Sequence, residues 1–180
     1  MPNAVVMLTV VLSTLVVLSD LYARRVPNAW LLGALVLGLV LPLAIKLLGL
    51  GQPEWPSVSG LVIGLLVMLP FYALGWMGAG DVKFLAVLGF LLGARALLPI
   101  WVIGSLLTGV HVAVLLLARM PGLAQAPAFT VTRDRLTSSP WWQRMQLARR
   151  GRVGQPHAAY LAIGALLTIA FPTLQAWGTS

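Results

Sequence analysis

Only four side chains in this 180-residue sequence are acids: Asp20, Glu54, Asp81 and Asp134. Glu54 lies among Pro53, Trp55 and Pro56 in a short polar stretch and reads as solvated. Asp134 sits between Arg133 and Arg135 and reads as their surface partner. Asp20 and Asp81 instead border long apolar runs, at Leu18-Ser-Asp-Leu-Tyr22 and Gly78-Ala-Gly-Asp-Val-Lys83. Two carboxylates held close together cannot both ionise easily. One keeps a proton and can donate it to a carbonyl oxygen, while the other draws a proton from water. Such a pair can hydrolyse an amide with neither metal nor covalent nucleophile. Taken singly, each acid has a plainer reading: Asp20 as an ion-pair partner of Arg24 four residues on, Asp81 as a helix N-cap.

The other reactive residue types point away from competing chemistries. There is no cysteine, so disulfides, thiolate metal sites and cysteine nucleophiles are out. His111 and His157 are the only histidines, and no His-Glu-x-x-His motif occurs, too few ligands for hydrolytic zinc. No metal and no cofactor are expected. Ser105 and His111 are six residues apart and fall on different faces of a helix, so they form no local nucleophile–base pair. His111 is expected to pack, and His157 to line the mouth of the site.

The elements that must position Asp20 and Asp81 are membrane helices. Hydrophobic residues make up 59% of the chain and charged residues 9%, against about 25% charged in a soluble domain. Lipid must be the solvent for most of the surface. Six apolar runs approach the ~17–25 residues of a spanning helix: Asn3–Ser19, Asn28–Leu48, Val58–Leu74, Val82–Leu98, Ile100–Ala118 and His157–Trp177. The turn between the fourth and fifth falls at Gly93-Ala-Arg95 or at Leu98-Pro99. The expected fold class is therefore all-α, a polytopic membrane protein with six transmembrane helices. The first run has no basic lead-in and no small-residue cleavage site, so a cleavable signal peptide is not expected.

Of 12 Lys and Arg residues, 10 fall on the side holding the first, third and fifth loops. By the positive-inside rule that side is cytoplasmic and both termini lie outside. Two crossings separate Asp20 from Asp81, which returns the chain to the same face. Both carboxylates are thus expected at the cytoplasmic border, where an acid at membrane depth costs ~2.5–3.5 kcal/mol and is a functional candidate by default. Gly78 and Gly80 carry no side chain, which lets another chain approach closely, and main-chain pairing along an extended edge would hold a peptide for attack. Pro70 can loosen the helix leading into that segment.

The stretch Arg119–Pro156 is the one sizeable polar segment. Within it, Pro140-Trp-Trp-Gln-Arg-Met-Gln-Leu-Ala-Arg-Arg150 fits a short interfacial helix, with tryptophans at headgroup depth and arginines toward anionic lipid. The alternative is an unstructured basic loop. The glycines at 33, 38, 60, 64, 89, 93, 104 and 109 read as close helix contacts. Pro27 stops extension of the first helix, and Asn28 is expected to cap the second.

At these residues the sequence resembles the prepilin peptidases, the GxGD class of aspartate intramembrane proteases, and among them the short members that serve Flp/Tad-type pili. The resemblance rests on Asp20 followed by Arg24-Arg-Val-Pro-Asn28. It rests more on Gly78-Ala-Gly-Asp-Val-Lys-Phe84 leading into Leu85-Ala-Val-Leu-Gly-Phe-Leu-Leu-Gly93, and less on Gly154-Gln-Pro-His-Ala-Ala-Tyr-Leu-Ala-Ile-Gly164. It implies catalytic roles for Asp20 and Asp81, with Gly78, Gly80, Lys83, Arg24, Asn28, Pro156 and His157 shaping the site or contacting substrate. It implies cleavage of a prepilin or pseudopilin leader at the cytoplasmic border of a bacterial inner membrane. The partners are that peptide and membrane lipids, with no nucleic acid. Residues 1–180 form one peptidase domain with the basic loop 119–156 inside it. Larger relatives carry a Cys-rich domain linked to N-methylation; with no cysteine, no methyltransferase activity is expected. His157 after Pro156 departs from the family's usual Pro-Tyr-Gly type of run, and the long basic loop is a second departure. The competing expectation is a non-enzymatic membrane transporter or a pilus or secretion assembly subunit. A transporter favours related halves and acids near the midplane; no repeated halves are found, and both acids map to one border.

Overall fold

A computed structural model of the chain describes residues 4–120, 122, 127–151 and 154–176. Among them every regular element is helical: α1 (Ala4–Ala23), α2 (Asn28–Leu47), α3 (Val58–Ala73), α4 (Ala79–Leu92), α5 (Ala94–Ala118), α6 (Pro127–Ser138), α7 (Pro140–Arg149) and α8 (His157–Ala170), closed by a 3-10 turn at Pro172–Gln175. The chain is a polytopic all-helical membrane protein. By length and composition α1, α2 and α5 are long and apolar enough to cross a membrane, and α3 and α8 are shorter apolar helices.

α4 is the hub. Val82 and every residue from Phe84 to Phe90 are buried, as expected of a helix apolar on all sides, and it packs against α1, α2, α3, α5 and α8. α3 lies on it closely enough that a Cβ on Gly60 would overlap the Gly89 carbonyl. α8 crosses α5 in the same manner, with Gly164 against Ile100 and Gly104 against Leu161. α1 buries Val5, Thr9, Leu12, Ser13, Val16 and Asp20, a single stripe at helical spacing that faces chiefly α8. Asp20 is therefore the last inward position of α1 and is 6% exposed.

Several sequence expectations change. α1 runs past Ser19 to Ala23 and ends where Arg24 takes the left-handed conformation at φ 51. The α4–α5 turn is a single residue, Gly93, at φ 85; Leu97, Leu98 and Pro99 belong to α5, with Pro99 inside the helix. The last helix stops at Ala170, and Trp177 lies outside the described residues. Asn28 does not cap α2: the N-cap is Pro27, without a side-chain bond, and Asn28 Oδ1 instead accepts from Lys83 Nζ at 3.5 Å. Gly38, Gly60, Gly64, Gly89 and Gly104 make the close contacts expected of them, whereas a Cβ at Gly33, Gly93 or Gly109 would meet nothing within 4 Å.

The basic segment holds two helices where it is described. Ser139 caps α7, its side chain accepting from Trp142 N at 3.2 Å, with Pro140 in the first turn. α7 rests on α1, Met145 is buried, and Arg149 donates to the Leu21 carbonyl at 2.9 Å.

Candidate active site

Asp81 stands at the third position of α4, whose N-cap is Gly78 in extended conformation (φ −74, ψ 148). The plainer reading of Asp81 as the cap itself is thereby corrected. Its carboxyl reaches back to the Gly78 backbone N–H, the reciprocal half of a capping box. Gly78 is open to extended pairing, but Ala79 and Gly80 are already helical, so the expected extended Gly-Ala-Gly edge shrinks to one residue. Gly80 faces Val26 at ordinary contact distance, with 3.6 Å from a built Cβ to Val26 Cβ.

Asp20 arrives from α1, and the start of α8 comes to meet it. The Ala159 N–H donates to Asp20 Oδ2 at 3.0 Å, and the adjacent Ala158 N–H lies against both the Asp20 and the Asp81 carboxyl. The first turn of α8 thus supplies free backbone donors to two acids that are close enough to act on one another electrostatically. Asp20 and Asp81 line one cavity of about 530 Å³ together with Arg24, Asn28, Lys83 and Gly78.

Among the described residues Asp20 makes no ion pair with Arg24, which turns Nε and Nη1 into buried positions without hydrogen-bond partners. Arg149 approaches the same corner from α7. Burial, then the like charge of Arg24, push its guanidinium below its usual range, against the pull of Asp20.

Asp81 also lines a second cavity, of about 780 Å³, walled by Phe71, Trp76, Trp101, Thr108 and His157. Gly78, Asp81, Gly154 and Gln155 belong to both cavities, so the cleft passes Asp81 on two sides. Gly154 has φ 137, a conformation that glycine tolerates best, and turns the chain through buried Pro156 into α8. Thr108 donates its only hydroxyl proton to the Gly104 carbonyl at 2.8 Å. Toward His157 Nδ1, also at 2.8 Å, it must therefore accept, which puts the imidazole proton on Nδ1. His157 Nε2 is left without a protein partner, as a lone-pair acceptor in the neutral ring. His111 is elsewhere, its ring 5.8 Å from that of Tyr160.

Every site residue expected from the sequence falls at this cleft or on its border: Asp20, Asp81, Gly78, Gly80, Lys83, Arg24, Asn28 and His157 line it, and Pro156 sets the entry of α8. Sequence reasoning missed Thr108, the Ala158 and Ala159 N–H groups, and Arg149. Backbone donors leave no trace in residue type, and Thr108 lies 49 positions from its partner. The run Gly154-Gln-Pro-His157 was the available signal.

The model of one protein family, the type IV leader peptidase family, matches residues 7–114, more than half of the chain and inclusive of both aspartates. No curated protein and no solved structure gives a match.

Proposed function

The chain belongs to the type IV leader peptidase family, and from that premise we propose that it is an aspartic endopeptidase that cleaves the leader of prepilin-like substrates at the cytoplasmic border of the inner membrane. The observation that carries this reading is the shared cavity: Asp20 and Asp81, distant in sequence, open onto the same space. Six spans, with both termini outside, put the C-terminal end of α1 and the N-terminal end of α4 at that border.

In the proposed reaction a water molecule lies between the two carboxyls. The ionised one takes a proton from the water as its oxygen attacks the scissile carbonyl carbon. The protonated one donates to the carbonyl oxygen, which avoids building a full oxyanion. As the gem-diol collapses, the protonated carboxyl gives its proton to the leaving nitrogen, the C–N bond breaks, and one gem-diol hydroxyl returns its proton to the other carboxylate as the new carboxyl group forms, so the dyad again holds one proton. Gly78, extended and without a side chain, gives the substrate backbone room beside Asp81. His157, held by Thr108, walls the cavity beside Asp81 and so shapes the space left for that backbone. Lys83, whose Nζ lies 3.5 Å from Asn28 Oδ1, links the start of α2 to the start of α4 at the edge of the cleft.

The test is co-expression with a candidate prepilin and a gel assay for leader removal. Asp20→Asn and Asp81→Asn are each expected to abolish processing while the protein still inserts and accumulates. Full processing by either variant would defeat the dyad assignment.

A further inference from the structure

A third cavity lies away from the acids, between α3 and α5 over the flank of α4. It measures about 300 Å³ and is lined without any titratable side chain: Val67 and Phe71 on one wall, Leu97 and Trp101 on the other, Leu85 at its floor. Gly64 lets α3 settle onto α4 beneath it, where a built Cβ would come within 3.0 Å of the Ala86 Cα. Its rim is open, since Val67 is 52% and Leu98 54% exposed. In a helix bundle surrounded by lipid, this is an apolar trough facing the acyl chains.

The trough is continuous with the site. Phe71 and Trp101, with ring centroids 6.4 Å apart, line both it and the 780 Å³ cavity that holds Asp81 and His157. On α5 the lining positions are Ala94, Leu97, Leu98, Trp101, Ser105 and Thr108, which recur every three or four residues along one face. From Leu97 to Thr108 that face advances about 16 Å. Polarity changes along it in one direction: aliphatic at Leu97, aromatic at Trp101, hydroxylated at Ser105 and Thr108, then acidic at Asp81.

We infer that the α3–α5 trough is the docking surface for the membrane-embedded apolar helix of the substrate, immediately C-terminal to the scissile bond. The inference rests on the proposed peptidase reading and adds the location of an exosite to it. The occupant follows from continuity with the cleft and from chemistry. A cleaved peptide that leads into an apolar helix must leave the dyad toward lipid, and this route turns from polar at Asp81 to wholly apolar in the trough. A trough that opens to lipid at one end and to Asp81 at the other matches the order scissile bond, then helix. Burying the helix's side chains against Phe71 and Trp101 makes substrate binding depend on residues that take no part in bond breaking.

The experiment uses the full chain in membranes with a prepilin substrate. A benzophenone amino acid is placed at Val67 in the trough, or at Leu39 on the exposed face of α2, in an Asp81→Asn background. Cross-linking to the substrate's apolar helix is expected from position 67 and not from 39. In the otherwise native enzyme, Val67→Trp fills the trough and is expected to raise KM for the full-length substrate about tenfold with kcat unchanged. A peptide that ends shortly after the cleavage point, without the apolar helix, should be cut equally well by Val67→Trp and the unaltered enzyme. Leu98→Trp, on the opposite rim, is the second variant should Val67→Trp accumulate poorly. Equal cross-linking from both positions, or equal slowing of both substrates, overturns the trough while the dyad stands. Failure of the unaltered enzyme to cut either substrate overturns the peptidase reading and the trough with it.

Discussion

His157 takes its meaning from a proton count at Thr108. The threonine hydroxyl has one proton and spends it on the Gly104 carbonyl, so the imidazole donates through Nδ1 and Nε2 is left as the buried acceptor. Thr108→Val leaves the Nδ1–H buried and unpaired, a penalty of ~1–3 kcal/mol. The ring is then free to turn or change tautomer. Processing is expected to slow about tenfold, equivalent to ~1.4 kcal/mol of barrier, and Thr108→Ser, which keeps the hydroxyl, should restore it. Single-turnover cleavage measures both, and a Thr108→Val enzyme as fast as the native one would remove His157 from the mechanism. Lys83 and Asn28 illustrate the opposite lesson. Each was expected at the site, but the reason is their bond to one another rather than a helix cap.

Between elements, the α3–α4 crossing does most to hold Asp81 in place, because Gly60 and Gly89 bring two backbones into direct contact. Gly89→Ala forces a methyl into the Gly60 carbonyl, and overpacking of this kind costs ~1–3 kcal/mol. Thermal unfolding in detergent should shift down by several degrees for Gly89→Ala and not for Gly33→Ala, whose added Cβ meets nothing. Equal shifts for the two would mean that α3 and α4 are not so close. α7 is held differently, by Met145 and by Arg149, which donates to the exposed end of α1 at Leu21. Arg149→Ala removes that bond and is expected to hasten chymotryptic cutting near Trp141 and Trp142. An unchanged digestion rate would show that the remaining contacts suffice to dock the helix.

Across the whole molecule the charge asymmetry and the cleft agree in direction. The end of the bundle that carries Asp20 and Asp81 also carries Arg24, Arg25, Lys83 and the arginine-rich helices α6 and α7, while Lys46 sits with Trp55 at the other end, its Nζ 5.9 Å from the ring centroid. The native chain has no cysteine, so single-cysteine variants give an unambiguous topology assay. Gln52→Cys is expected to react with an impermeant reagent in intact cells, and Asp134→Cys only after the membrane is opened. Reaction of residue 134 from outside would invert the proposed orientation.

Hydropathy and periodicity by themselves determined that the protein is helical and in lipid, and that Asp20 near the end of one helix and Asp81 near the start of another fall at the same end of the bundle. These follow from local spacing: every fourth residue of α1 turns inward, and an even number of crossings restores the side. The helix ends escaped notice because Arg24 and Gly93 stop or turn the chain through backbone angles, which hydropathy does not register. Only the tertiary structure decided what surrounds the acids. The start of α8 places its Ala158 and Ala159 N–H groups on them, Thr108 fixes the imidazole, and α3 and α5 part to leave an apolar trough. Those features are made by contacts between residues remote in sequence. A backbone donor, a tautomer or a gap between helices exists only once the bundle has closed.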